Sequence, residues 1–310
     1  MADVGAGGVS LDGVGEAART RSHPSVAARF GSGLVNWLPA LPLIAVAFAL
    51  LLAPTTLLVI QSFRGDSDHW TVEFWKETFE RRGDRHAIGT SLRLGAVCAS
   101  LSFLVGAPMA WLLSQMVTGR RAIWLALLNV AANFGGIGLA FGYTAALGTY
   151  GMITLAMRGL GFGFSPPVSA SFAGLVIAYV YTNVPLFVLL TLPVMSILRR
   201  DWMEAAEVSA ATRLQFWRYV GLPILSPFLA AGWLLIFTWS IGIYGLAYAL
   251  AGTAANGRLR LMTLQIGLAL NSSPTGQNRA AVMAVLLLLF ATGSLLAYRL
   301  MLRRALRWFA

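Results

Sequence analysis

The chain has 310 residues, 57% of them hydrophobic and only 11% charged, against about 45–50% and about 25% in ordinary soluble domains. So few charges cannot cover a water-facing surface, which excludes a soluble fold and leaves lipid as the solvent for most of the exterior. The net charge of +11 is almost wholly arginine, with Lys76 the sole lysine. These arginines stand in short clusters between apolar runs, a pattern of membrane topology rather than of a nucleic-acid surface.

Residues 1–33 are rich in Gly, Ala and Ser without a hydrophobic pattern and are expected to form a disordered cytoplasmic tail. The first apolar run starts late, is long, and is followed by no small-residue cleavage site. It reads as an uncleaved anchor rather than a signal peptide. Charge-free runs then predict transmembrane helices near 38–61, 89–114, 123–148, 171–197, 224–250 and 280–301, each long enough for the roughly 20 residues that one crossing needs. Gly159 to Pro167 and Gly252 to Gly257 are read as loops. The fold class expected is thus an all-α integral membrane protein of about six spans.

Arginine sets the orientation. With a cytoplasmic amino terminus, every short loop on that side is basic, carrying Arg120 and Arg121, Arg199 and Arg200, Arg213 and Arg218, and residues 303–310 form a basic cytoplasmic tail. Both termini are therefore expected inside, in a multi-pass protein.

Chemical groups are scarce in the spans. The twelve carboxylates fall in the tail, in the first outer loop, and at Asp201, Glu204 and Glu207. His23, His69 and His86 also lie outside the spans. A proton-coupled carrier usually needs an intramembrane ionisable group, and no metalloprotease helix motif or P-loop is present. Lys76, after Trp75, stands in no nucleotide-binding context. No cofactor is expected on this chain, and any drive must come from another subunit. The first outer loop, with His69 and His86, is the one place an enzyme could assemble a polar cluster, and its spacing matches no known metal or nucleophile pattern.

The segment between the fourth and fifth spans is different. Asp201 is a good N-cap with Glu204 three residues later. Acids early and Arg213 and Arg218 late suit the helix dipole, so a short helix is expected over 202–211. Small Ala205, Ala206, Ala210 and Ala211 would let a surface approach closely, and Pro223 opens the next span. Such a helix could also simply lie on the inner leaflet.

Glu204-Ala205-Ala206, three residues, Ala210, nine residues, then Val220, Gly221, Leu222 and Pro223 resemble the E-A-A-x3-G-x9-I-x-L-P signature of type I ABC import permeases. Ala210 replaces the usual glycine and Val220 the usual isoleucine. The resemblance implies a type I permease fold in a bacterial inner membrane. Residues 34–85 would hold an extra first helix and outer loop, and 86–302 the five-helix core. Asp201, Glu204, Ala205, Ala206, Ala210, Leu222 and Pro223 would belong to the ATPase-coupling element. It also implies the partners: a second permease, two ATPase subunits that bind ATP and Mg, and an extracytoplasmic solute-binding protein.

The remaining polar and aromatic positions stay open between two roles. Asn129, Asn133 and Asn183 either line a path or join helices. Trp239 and Tyr244 either face a solute or anchor and pack their helix. Pro54, Pro108, Pro185 and Pro193 mark kinks. Gly242 to Leu250 resembles the polyamine, opine and phosphonate permeases, which implies a polyamine or similar small solute.

Overall fold

The computed structural model describes residues 40–65, 69–162, 170–198, 200–252, 259–272 and 274–306. The expected amino-terminal tail, Pro166 and Pro167, the loop 253–257 and residues 307–310 lie outside the described residues. The chain divides into two units, 1–56 and 57–310. Among the described residues, six stretches are long and apolar enough to cross a membrane, so the chain is an all-α integral membrane protein.

Helix α1, Leu41–Ser62, is apolar on every face and spans the boundary between the units. Within the second unit the loop after α1 is itself structured. Glu73–Glu80 forms a short amphipathic helix, α2, with Phe74 and Thr78 buried one turn apart, and Glu77 pairs with Arg81 at 2.8 Å. Helix α3, Arg82–Ser114, begins about two turns before the expected 89. At 33 residues it is about 50 Å long, more than hydrocarbon requires. Its first turn is held by Asp84, which accepts from Arg279 at 3.2 Å.

The third span departs from expectation. The single helix expected over 123–148 is broken into α4, Thr118–Asn133, and α5, Gly136–Leu147, and a further short helix, α6, follows at Met152–Gly159. The break sits at Phe134 and Gly135, and Gly136 has φ +64°, a left-handed turn that Gly adopts without penalty.

Helix α7, Phe172–Met195, is the centre of the bundle: 61% of its apolar window is buried, against 28–33% for the other spans of this unit. It is capped by Ser171, which accepts from the Gly174 amide. Small residues let its neighbours close in. A Cβ at Gly106 of α3 would lie 2.7 Å from the Phe187 ring, and one at Gly232 3.2 Å from the same ring. Pro108, Pro185 and Pro193 all lie inside continuous helices.

After α8, Arg200–Val208, and α9, Arg213–Phe216, a π turn at Trp217–Gly221 leads into α10, Leu222–Gly242. The fifth span was expected to run unbroken to 250, but it stops at Gly242 and resumes as α11, Gly245–Ala247. Irregular backbone at membrane depth must find partners inside the protein. The freed Ile243 carbonyl accepts from Tyr179 at 3.2 Å and Thr263 at 3.4 Å. A helix not anticipated in the sequence, α12 (Met262–Ser272), precedes the last span, α13, Pro274–Leu306.

Candidate functional site

Helix α8 has two faces. Trp202, Met203 and Ala206 are half-buried and pack on a core that includes Met195, Leu198 and Phe216. Asp201, Glu204, Ala205, Glu207 and Val208 are exposed on the other side. The spacing i, i+1, i+4 puts the first set on one face of the helix, and the exposed set is acidic with small residues between. The helix runs 200–208 rather than the expected 202–211. Asp201 therefore lies inside the first turn and is not its cap, because the helix already includes Arg200.

The end of α8 explains the position where the signature has glycine. Ala210 has φ +56°. The Ala211 amide donates to the Ala206 carbonyl at 2.9 Å and the Ala210 amide to Glu207 at 3.0 Å. These two bonds are those of a Schellman motif, whose C′ residue must be left-handed and is usually Gly. Two residues on, Thr212 and Gln215 form a reciprocal capping box, with Gln215 N donating to Thr212 Oγ1 at 3.3 Å and Thr212 N to Gln215 Oε1 at 2.8 Å. The sequence signal for that box is T-x-x-Q at 212–215, whereas Asp201, expected as an N-cap with Glu204 three residues on, lies within the first turn of α8.

The π turn then seats the chain against α3. Trp217 packs edge-on to Trp111 with centroids 4.8 Å apart, and Gly221 has no room for a Cβ, which would lie 2.7 Å from the Trp217 ring. Leu222 and Pro223 follow, exposed, at the start of α10. A cleft of about 430 Å³, lined by Trp111, Ser114, Met195, Met203 and Phe216 among others, lies beneath this region.

The five residues considered for a solute path are not gathered in one place. Asn129 and Asn133 are exposed on α4, and each donates to the carbonyl four residues back, at 2.8 Å. Asn183 is fully buried and donates to Ser240 Oγ at 2.8 Å, joining α7 to α10. Trp239 is exposed. Tyr244 stands at the break after α10, stacked on Tyr248 with centroids 5.4 Å apart. Of the five, only Tyr244 lines a cavity of about 370 Å³, together with Tyr248, Arg260, Gln265 and Asn271 among others. Arg260, the one charged residue in that lining among the described residues, was not among the sequence candidates. Its signal was an arginine between two spans in a stretch free of carboxylates.

No family model matches the chain. It is 33% identical to the sulfate transport system permease protein CysT of Salmonella typhimurium over 211 residues, 65% of this chain and 73% of that protein. It is 28% identical over 211 residues to the molybdenum transport system permease protein ModB of Mycobacterium tuberculosis, covering 66% and 75%. Against the spermidine/putrescine transport system permease protein PotB of Escherichia coli the identity is 24% over 226 residues, covering 71% and 78%. In fold, it aligns with a chain of a bacterial ABC transporter involved in alginate import at a TM-score of 0.65 and 14% identity, covering 90% of this chain and 99% of that one. With the E-A-A…L-P spacing intact and a third of residues identical across most of a transport permease, the chain belongs to the permease subunits of ABC importers.

Proposed function

We propose that α8 is the coupling element through which this permease engages a separate ATPase subunit. The observation that carries the reading is the two-faced helix. Its apolar side is seated on the α7 and α9 core, and its acidic, small-residue side is left open and held by the Schellman turn at Ala210. Glu204, Ala205 and the turn at Ala210 form the docking surface, with Asp201 at its edge. Ala206 belongs to the seat beneath, and Leu222 and Pro223 carry movement of the turn into α10. ATP and Mg belong to the partner ATPase. A second permease subunit, identical or similar, completes an alternating path, and an extracytoplasmic binding protein delivers the solute. Both termini face the cytoplasm.

The relatives are transport permeases for sulfate, molybdenum, and spermidine or putrescine. The resemblance of residues 242–250 favours a polyamine. The distribution of charge favours an anion: from residue 85 to the end, carboxylates occur only at Asp201, Glu204 and Glu207, so the spans offer a polycation no ionic partner.

The coupling reading is tested with Glu204→Arg. The reversed charge on an exposed face should leave insertion and melting unchanged, while uptake and co-purification of the ATPase subunit are lost. Normal uptake by a well-expressed Glu204→Arg chain would overturn it.

A further inference from the structure

We infer that the cavity between the break after α10 and helix α12 is a binding site for a small inorganic oxyanion, with Arg260 supplying its charge. The inference rests on the importer reading, since it places the site on the solute path. The cavity holds about 370 Å³, room for a tetrahedral anion and a few waters.

Its wall is rich in donors and has no carboxylate. Arg260 is exposed at the cavity and, among the described residues, forms no ion pair. Its guanidinium lies against Gly83, where any Cβ would collide with it, so the arginine is laid down on α3 by the absence of a side chain there. The adjacent carboxylate, Asp84, is already committed to Arg279 at 3.2 Å and is almost fully buried. Tyr244 is positioned in the same way. A Cβ at Gly267 would lie 3.0 Å from its hydroxyl, so Gly267 lets the ring lie flat on α12. The Tyr244 and Tyr248 hydroxyls, on exposed residues, and the Gln265 side-chain amide have no protein partner among the described hydrogen bonds and are open to a ligand. Asn271 donates to the Gly267 carbonyl. A guanidinium laid against Gly83, two hydroxyls and an amide, donors that line one cavity, match the acceptor oxygens of a doubly charged oxyanion. A cation in the same cavity would face the guanidinium with nothing to offset it.

The class of break supports the placement. Backbone is left irregular at membrane depth where it is buried in protein or lines a cavity, and the Ile243 carbonyl, freed by this break, is taken up by Tyr179 and Thr263 beside it.

The test uses the full chain in phosphatidylcholine nanodiscs. Equilibrium binding of ³⁵S-sulfate is measured by scintillation proximity, with molybdate, spermidine and chloride at equal ionic strength as competitors. Wild type should bind sulfate saturably, displaced by molybdate and not by spermidine. Arg260→Gln should weaken binding about tenfold, the scale of one lost charged hydrogen bond, and Arg260→Lys should recover part of it. Tyr244→Phe, which keeps the ring and its packing, should weaken it by a few fold and covers the case in which Arg260→Gln fails to fold. Absence of saturable binding of either oxyanion by wild type, or unchanged binding in folded Arg260→Gln and Tyr244→Phe, would overturn the site. Native mass spectrometry of chain taken from membranes containing phosphatidylglycerol separates the second source of such chemistry. If that lipid is held by wild type and lost in Arg260→Gln while sulfate does not bind, the cavity is a headgroup site and its place on the solute path is overturned. No ATPase is present, so failure here leaves the docking reading of α8 intact, and failure of Glu204→Arg leaves this one intact.

Discussion

Ala210 holds an alanine side chain in a backbone conformation that suits glycine. At φ +56° a Cβ crowds the following carbonyl, at a cost of about 1–2 kcal/mol. The two Schellman bonds and the seated Trp202, Met203 and Ala206 keep it there. Ala210→Gly should remove that strain without altering the turn. Amide exchange at Ala210 and Ala211 should slow about five- to tenfold for about 1–1.4 kcal/mol of added local stability. Ala210→Val, β-branched and more crowded at positive φ, should speed it. Hydrogen exchange over residues 203–216 reads both, and equal protection in the three proteins would show that the turn is not where α8 is limited. At Arg260 a similar comparison of magnitudes favours an anion. A cation over the Tyr244 and Tyr248 rings gains about 0.5–2 kcal/mol, whereas two like charges about 4 Å apart near a protein surface repel by about 4 kcal/mol. The sequence marks single members of these features, Tyr244 as a path residue and Arg260 as an arginine in a carboxylate-free stretch, but not the geometry that assembles them. The signature says that glycine is usual at position 210, but only the φ angle gives the reason, and the donors of the cavity come from three separate segments.

Helices α3, α7, α10 and α13 are joined by contacts of two kinds. The first is close approach over small residues: Gly106 beneath Phe187, and Gly95 beneath Phe237 and Ile241, where a Cβ would lie 2.8 Å from Ile241. Overpacking such a contact costs about 1–3 kcal/mol. Gly106→Leu should therefore lower the melting temperature of the detergent-solubilised chain, with Gly106→Ala falling between it and wild type. The second is polar. The pair of Asp84 and Arg279 is the stronger case, because Asp84 is 4% exposed and removing Arg279 would leave its charge buried, at about 3–5 kcal/mol. The partly exposed arginine puts the effect at the low end of that range. Arg279→Gln should melt well below wild type, and adding Asp84→Asn should restore most of the loss; a double variant as unstable as the single one would mean that the pair is not the cause. The helices that hydropathy could reveal are those built on long charge-free runs, whether their faces are mostly open, as in α1, or mostly buried, as in α7. Helix α2 was missed because two buried residues, Phe74 and Thr78, suffice to seat it, too few to register as an apolar run. The third span was misjudged for the opposite reason. Its run is free of charge throughout, and the break is marked only by the pair Gly135 and Gly136, a turn signal overridden by the hydrophobicity around it.

For the whole molecule, arginine placement and the number of crossings are two independent statements about topology, and one labelling experiment joins them. By the positive-inside rule the basic loops are expected to put the α8 region inside. Counting spans puts the loop that carries α2 on the opposite side only if the third span, broken at Phe134 and Gly135, still crosses. The chain is suited to cysteine labelling because its one thiol, Cys98, is fully buried, so background should be low. Glu80 and Ser209 are exposed in the two loops, and neither Glu80→Cys nor Ser209→Cys disturbs the core. In intact cells a membrane-impermeant maleimide should label the cysteine at 80 and not the one at 209, and permeabilisation should expose the second. Labelling in the reverse order would invert the orientation and place the acidic face of α8 where no ATP is available, overturning its role in docking. Labelling of both from one side would mean that α4, α5 and α6 do not together complete a crossing. The carboxylate-free spans would then have to be threaded by five crossings, with one terminus outside.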